Sequence, residues 1–124
     1  MRIGLLAGLA LLMLPAAASA MPVSTFLAKA EALKKKGPLA IFSGDLKLLT
    51  KQIEADGAAL RAQNKAAAAA GRRKAYCTPG AGVKIGQKEV LDAMNAVPPA
   101  KRMSTTTQEA MRDYFARRFP CPLS

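Results

Sequence analysis

The sequence predicts an all-α fold: a small bundle of about four helices whose C-terminal half is a helical hairpin closed by a disulfide. Three observations carry this expectation. Apolar residues recur at spacings of three and four in the long segments, which places them on one helical face. Glycine and proline punctuate the chain between those segments. Only two cysteines are present, Cys77 and Cys121, and they flank the last two helical segments. No convincing strand is visible, and Gly82 to Ile85 is too short for one.

The N-terminus sets the compartment. Met1-Arg2 is a short positive start, Ile3 to Leu14 is almost wholly apolar, and Pro15 interrupts the run. Ala18-Ser19-Ala20 is a small-x-small cleavage signal. Together these read as a secretory signal peptide, residues 1–20, cleaved between Ala20 and Met21. The apolar run is shorter than the roughly 20 residues of a membrane-spanning helix, which disfavours the rival reading of an uncleaved anchor. No cysteine lies near the cleavage site, so nothing points to lipid attachment. The expected location is the periplasm. Residues 21–124 then suit a single helical domain, basic helices over 21–75 followed by the hairpin over 76–121. Such a chain buries roughly 65% of its unfolded surface. Its core is modest, and a cross-link helps.

Export also bears on the cysteines. An exported protein with two cysteines is expected to pair them. A metal site or a redox pair is the alternative. Cysteines 44 positions apart, with no histidine anywhere, make poor versions of either.

The chain carries 19 Lys and Arg against 8 Asp and Glu, a net charge of +11. Loss of Arg2 with the leader lowers this by one. The excess favours anionic partners such as acidic proteins or an anionic cell-envelope surface. Nucleic acid is not expected, because the basic residues are dispersed and few aromatics interleave them for base stacking.

The first mature helix starts at Val23-Ser24-Thr25-Phe26, with Ser24 as its expected N-cap. Phe26, Ala30 and Leu33 share a face. Lys34-Lys35-Lys36 complement the helix dipole at the C-terminal end, and Gly37-Pro38 stops the helix. Leu39 to Phe42 is a short apolar run, read as one helical turn tucked into the core. Ser43-Gly44-Asp45 opens the longest helix. Its apolar stripe is Leu46, Leu49, Ile53 and Leu60, with Lys47, Lys51, Glu54, Arg61 and Lys65 opposite. A stripe of this kind also suits a membrane-surface helix, but it lacks aromatics, and a core needs such a stripe anyway. Gly57 on the stripe suggests close approach by another helix. The stripe fades after Ala58, so Ala66 to Ala70 is expected to project from the core.

Gly71 ends this helix. Arg72-Arg73-Lys74 follows, a basic cluster that reads either as a solvated linker or as a partner-docking patch. Residues 75–86 form a connector. Its glycines lack the GxxxxGK[ST] spacing of a phosphate loop. A third helix begins at Gln87 with Val90, Leu91, Met94 and Val97 inward, and Pro98-Pro99 ends it. Ser104 or Thr105 is expected to cap the last helix, with Thr105-x-x-Gln108 as a capping box. Met103, Ala110, Met111, Tyr114 and Phe115 form its inner face, and Asp113 and Arg117 a surface pair. Pro120 forces the stop before Cys121.

The order Tyr76-Cys77-x-Pro79, amphipathic helix, Pro98-Pro99-x-x-Arg102-x-Ser104, then a helix ending Phe119-Pro120-Cys121, resembles the second half of the Rap/Tai family. These are periplasmic immunity proteins against type VI secretion amidases. The resemblance covers residues 76–121, and Phe119-Pro120-Cys121 is its most specific part. The family's earlier cysteine–glycine segment has no counterpart here. The resemblance implies a disulfide-closed helical scaffold, and a protein that binds a secreted peptidoglycan amidase and occludes its cleft without performing a reaction. No catalytic, cofactor-binding or metal-binding residues are expected, and no cofactor. The nearest carboxylate pairs, Glu89 with Asp92 and Glu109 with Asp113, sit at solvated helical spacings. The alternative reading is an exported structural or cell-envelope accessory protein without an effector partner.

Overall fold

A computed structural model describes residues 20–80 and 82–123. The expected signal peptide therefore lies, except for Ala20, outside the described residues. Among the described residues four α-helices form the fold: α1 (Val23–Lys36), α2 (Gly44–Ala69), α3 (Gln87–Asn95) and α4 (Thr107–Arg118). Short 3₁₀ turns stand at Gly37–Phe42 and Pro99–Lys101. No named strand occurs among the described residues; the one β-like contact is an isolated antiparallel bridge between Pro22 and Thr106. α4 packs against the other three helices, and α1 also lies against α2 and α3.

The core follows the expected faces. Phe26 and Leu33 of α1, Leu60 of α2, Met94 of α3, and Met111 and Phe115 of α4 are all buried. Tyr76 joins them from the connector, its ring centroid 5.0 Å from that of Phe115. Cys77 and Cys121 form a disulfide with Cα atoms 4.8 Å apart. The Cys77 N–H also donates to the Phe119 carbonyl at 2.8 Å. α3 and α4 thus form the expected cross-linked hairpin.

Local sequence explains most boundaries. The Ser43 hydroxyl accepts from the Asp45 N–H at the start of α2. At its end Gly71 has φ of 69°, and Arg72 N–H donates to Ala67 O at 2.8 Å, which closes the last turn around a left-handed glycine. Before α3, the Glu89 carboxylate reaches back to the Gly86 N–H at 3.0 Å.

Several expectations are corrected. Ser24 is not the cap of α1, because the helix starts at Val23 with Pro22 in the cap position and no side-chain bond there. Its first donors are satisfied from afar, Val23 N–H by Thr105 O and Ser24 N–H by Arg102 O. The cap of α4 is Thr106, paired with Glu109 in a reciprocal box. Ser104 and Thr105 lie before the cap position, because α4 starts at Thr107, and both hydroxyls donate to Lys101 O. Met103 precedes α4 and points outward, 83% exposed. The cationic partner of the Asp113 carboxylate is Arg112, at 3.7 Å, rather than Arg117. A Cβ at Gly57 would meet only Arg61 of its own helix within 4 Å, so no other helix comes into contact there. Leu46 lies at the edge of its stripe, 39% exposed. Leu39 to Phe42 does form a helical turn, but it is not tucked in: only Ala40 packs on the core.

Candidate binding surfaces

Residues 98–106 form a rigid turn between α3 and α4. Pro98 and Pro99 fix two backbone φ angles. Arg102 then folds back, its Nε donating to Val97 O at 2.8 Å and its Nη2 to Asn95 O at 3.1 Å. These bonds satisfy carbonyls at the end of α3 that have no helical partner. From the other side, α1 bonds to Arg102 O and Thr105 O, and the Thr107 N–H donates to Met21 O at 2.8 Å. The turn is therefore held from three elements, while Lys101 and Met103 at its surface remain exposed. Sequence reasoning placed Met103 on the inner face and gave Arg102 no role. The available signal was the position of Arg102 three residues after a double proline.

Arg72, Arg73 and Lys74 are all exposed. Arg73 Nη2 donates to Cys121 O at 3.4 Å, so the basic cluster runs alongside the disulfide rather than hanging free. It is positioned by Asn64, whose amide donates to Tyr76 O and whose carbonyl oxygen accepts from the Ala75 N–H, both at 3.0 Å. This is why the segment after Gly71 turns back onto the hairpin.

Under the N-terminal edge lies a buried polar pair that sequence reasoning did not find. Asp56 is 5% exposed and Thr107 fully buried. The Thr107 hydroxyl donates to Asp56 Oδ2 at 2.6 Å, and Gln52 Nε2 donates to Oδ1 at 3.0 Å. The signal was present: Leu49, Ile53, Asp56 and Leu60 recur at helical spacing, with an acid on the apolar stripe. Beside the pair is a depression of about 230 Å³ lined by residues including Ala20, Met21 and Asp56. A second, of about 200 Å³, lies between α3 and α4 and includes Lys101, Asp113 and Arg117.

Among the described residues no three Cys, Asp or Glu side chains gather to hold a metal ion. Burial pushes the Tyr76 phenol above its ordinary value of 10.0, against a smaller opposing effect of Arg61. Lys88 is raised by its hydrogen bond to Asp92 on the surface of α3. No protein-family model matches the sequence, and neither a curated protein nor a solved structure matches it.

Proposed function

We propose that this protein is an exported, non-enzymatic binding module of the immunity type, which inserts the turn at residues 98–106 into the cleft of a secreted peptidoglycan amidase. One observation supports this above others: Met103 is 83% exposed on a backbone fixed by Arg102 and by the start of α1. The backbone of an ordered turn loses little conformational freedom on binding, and a flexible methionine side chain adapts to an irregular cleft. The disulfide keeps both helices of the hairpin in register behind it. The bond also fits an oxidising, extracytoplasmic compartment, and no described helix is long and apolar enough to cross a membrane. The basic cluster at Arg72, Arg73 and Lys74 supplies steering charge toward an acidic partner.

The test is inhibition of peptidoglycan hydrolysis by an amidase encoded beside this protein. The chain from Met21 should slow the reaction stoichiometrically, and Met103→Asp should weaken inhibition by at least about tenfold, the scale of a central interface residue. Full inhibition by Met103→Asp would reject the turn as the inserted element. Absence of inhibition by the unmodified chain would reject the amidase as target. The second reading, a cell-envelope accessory protein, is favoured by a different feature, the exposed apolar turn after α1.

A further inference from the structure

We propose that the turn between α1 and α2 is a lipid-contact site: Leu39, Ile41 and Phe42 enter the interfacial layer of an anionic membrane while surrounding lysines meet its headgroups. The three side chains are 70%, 70% and 81% exposed. Leu46 and Leu48, at 39% and 45%, leave further apolar area exposed on different faces of the start of α2. Contiguous exposed apolar side chains of this size mark a surface that meets something other than water.

Their exposure is built into an ordered backbone. Gly37 turns the chain with φ of 57°. Pro38 fixes φ at the second residue of the 3₁₀ turn, and Ser43 N–H closes it on Ala40 O at 2.9 Å. Ala40 packs on the core and so directs its neighbours outward.

The surroundings select the partner. Lys34, Lys35, Lys36 and Lys47 are all exposed. The one acid from Lys34 to Thr50, Asp45, is already paired with Lys29 at 3.2 Å. A second copy of the chain would bring two such lysine clusters together, which like-charge repulsion opposes. A stable protein interface uses roughly 20 or more residues a side, far more than this turn offers. A bilayer accepts point insertion of a few apolar side chains, and its anionic headgroups attract each nearby lysine. The contact is peripheral, since no described helix has the length and apolarity to span. It is also independent of the amidase reading. α1 is 14 residues long, about 20 Å, and the lipid-contact turn and the turn at residues 98–106 adjoin its opposite ends.

The sequence contains no tryptophan, so Phe42→Trp places a single indole at the site. The mature chain from Met21, disulfide intact, is mixed with vesicles of phosphatidylglycerol and phosphatidylethanolamine, or of phosphatidylcholine alone. The indole emission should shift to the blue and be quenched by brominated lipid with the anionic vesicles only, and the shift should fade with salt. In co-sedimentation of the Phe42-containing chain, replacing Lys34, Lys35 and Lys36 by Gln should weaken partitioning on the order of 100-fold at low salt. Leu39→Ser with Ile41→Ser and Phe42→Ser should abolish it while leaving the thermal melt unchanged, because these side chains support no core. Three results would overturn the proposal: no shift or sedimentation with anionic vesicles, a blue shift that grows with protein concentration without vesicles, or sedimentation that survives the triple serine variant.

Discussion

Thr107→Val removes one hydroxyl from the interior and almost nothing else, since valine has nearly the same shape. In the native fold that hydroxyl is fully buried and donates to the Asp56 carboxylate at 2.6 Å. A hydrogen bond to a charged acceptor contributes about 1.5–3 kcal/mol. Losing it leaves the carboxylate with Gln52 as its remaining side-chain donor. The adjoining depression gives water a route to the bared oxygen, which moves the expected cost toward about 2 kcal/mol. At roughly 5 °C per kcal/mol for a domain near 100 residues, the melting point should fall by about 10 °C. Asp56→Leu alone should cost a comparable amount, because it strands the Thr107 hydroxyl without an acceptor. Combining the two should cost less than their sum by about 1–2 kcal/mol, since both halves of the polar pair are then gone. Urea denaturation followed by circular dichroism on oxidised protein measures all four corners of this cycle. A Thr107→Val cost below about 0.5 kcal/mol, or strict additivity of the two substitutions, would refute the reasoning.

The other expectations concern the cross-link, alkaline stability and processing. Cys121→Ser opens a loop of sequence separation 44 and should lower stability by roughly 2–5 kcal/mol, measured by the same unfolding assay; thiol titration of unreduced, denatured wild type should find no free thiol. Tyr76 has a raised pKa in the fold, so the native state holds its proton at a pH where the unfolded chain has begun to lose it. That contribution is complete below about pH 10 and is lost as pH rises through the folded value; Tyr76→Phe should show a shallower alkaline decline in urea midpoint, and equal slopes would remove the effect. Intact mass of exported protein should correspond to a chain starting at Met21, and a mass that retains residues 1–20 would revive the anchor.

The helices and their pairing were legible because the signals are local. Gly37-Pro38, Gly71 and Pro98-Pro99 end helices by backbone sterics, and the faces of α1 and α3 follow from three- and four-residue spacing. The disulfide was legible from cysteine number and compartment. What escaped was decided across long sequence separations. Ser24 looked like a cap because nothing local reveals that carbonyls at Arg102 and Thr105 satisfy the first donors of α1. Thr105 and Thr106 are equivalent as sequence, and the backbone bonds that tie Thr105 O to Val23 N–H and Thr107 N–H to Met21 O distinguish them. Leu39 to Phe42 illustrates a further limit. A four-residue apolar run has no period, so hydrophobicity alone assigned it to the core, whereas the turn geometry buries only Ala40. Met103 failed for a related reason: its spacing from Ala110 suits one helical face only if the helix already includes it.

The backbone bonds at the start of α1 also have a consequence in time. Val23 and Ser24 bond to residues 105 and 102, and Met21 to Thr107. A polypeptide that leaves a translocation channel N-terminus first presents residues 21–24 early and their partners late. Cys77 likewise waits for Cys121, 44 positions later in the sequence. The contacts that close this fold are among its longest in sequence, and such contacts form slowly because loop closure must precede them. During emergence α2 has a local cap and good helix formers, whereas α1 lacks the acceptors for its first donors. For a chain exported in this way, folding is a late event, completed only once α4 has emerged. Oxidation follows the same schedule, and with two cysteines only one intramolecular pairing exists for it to find.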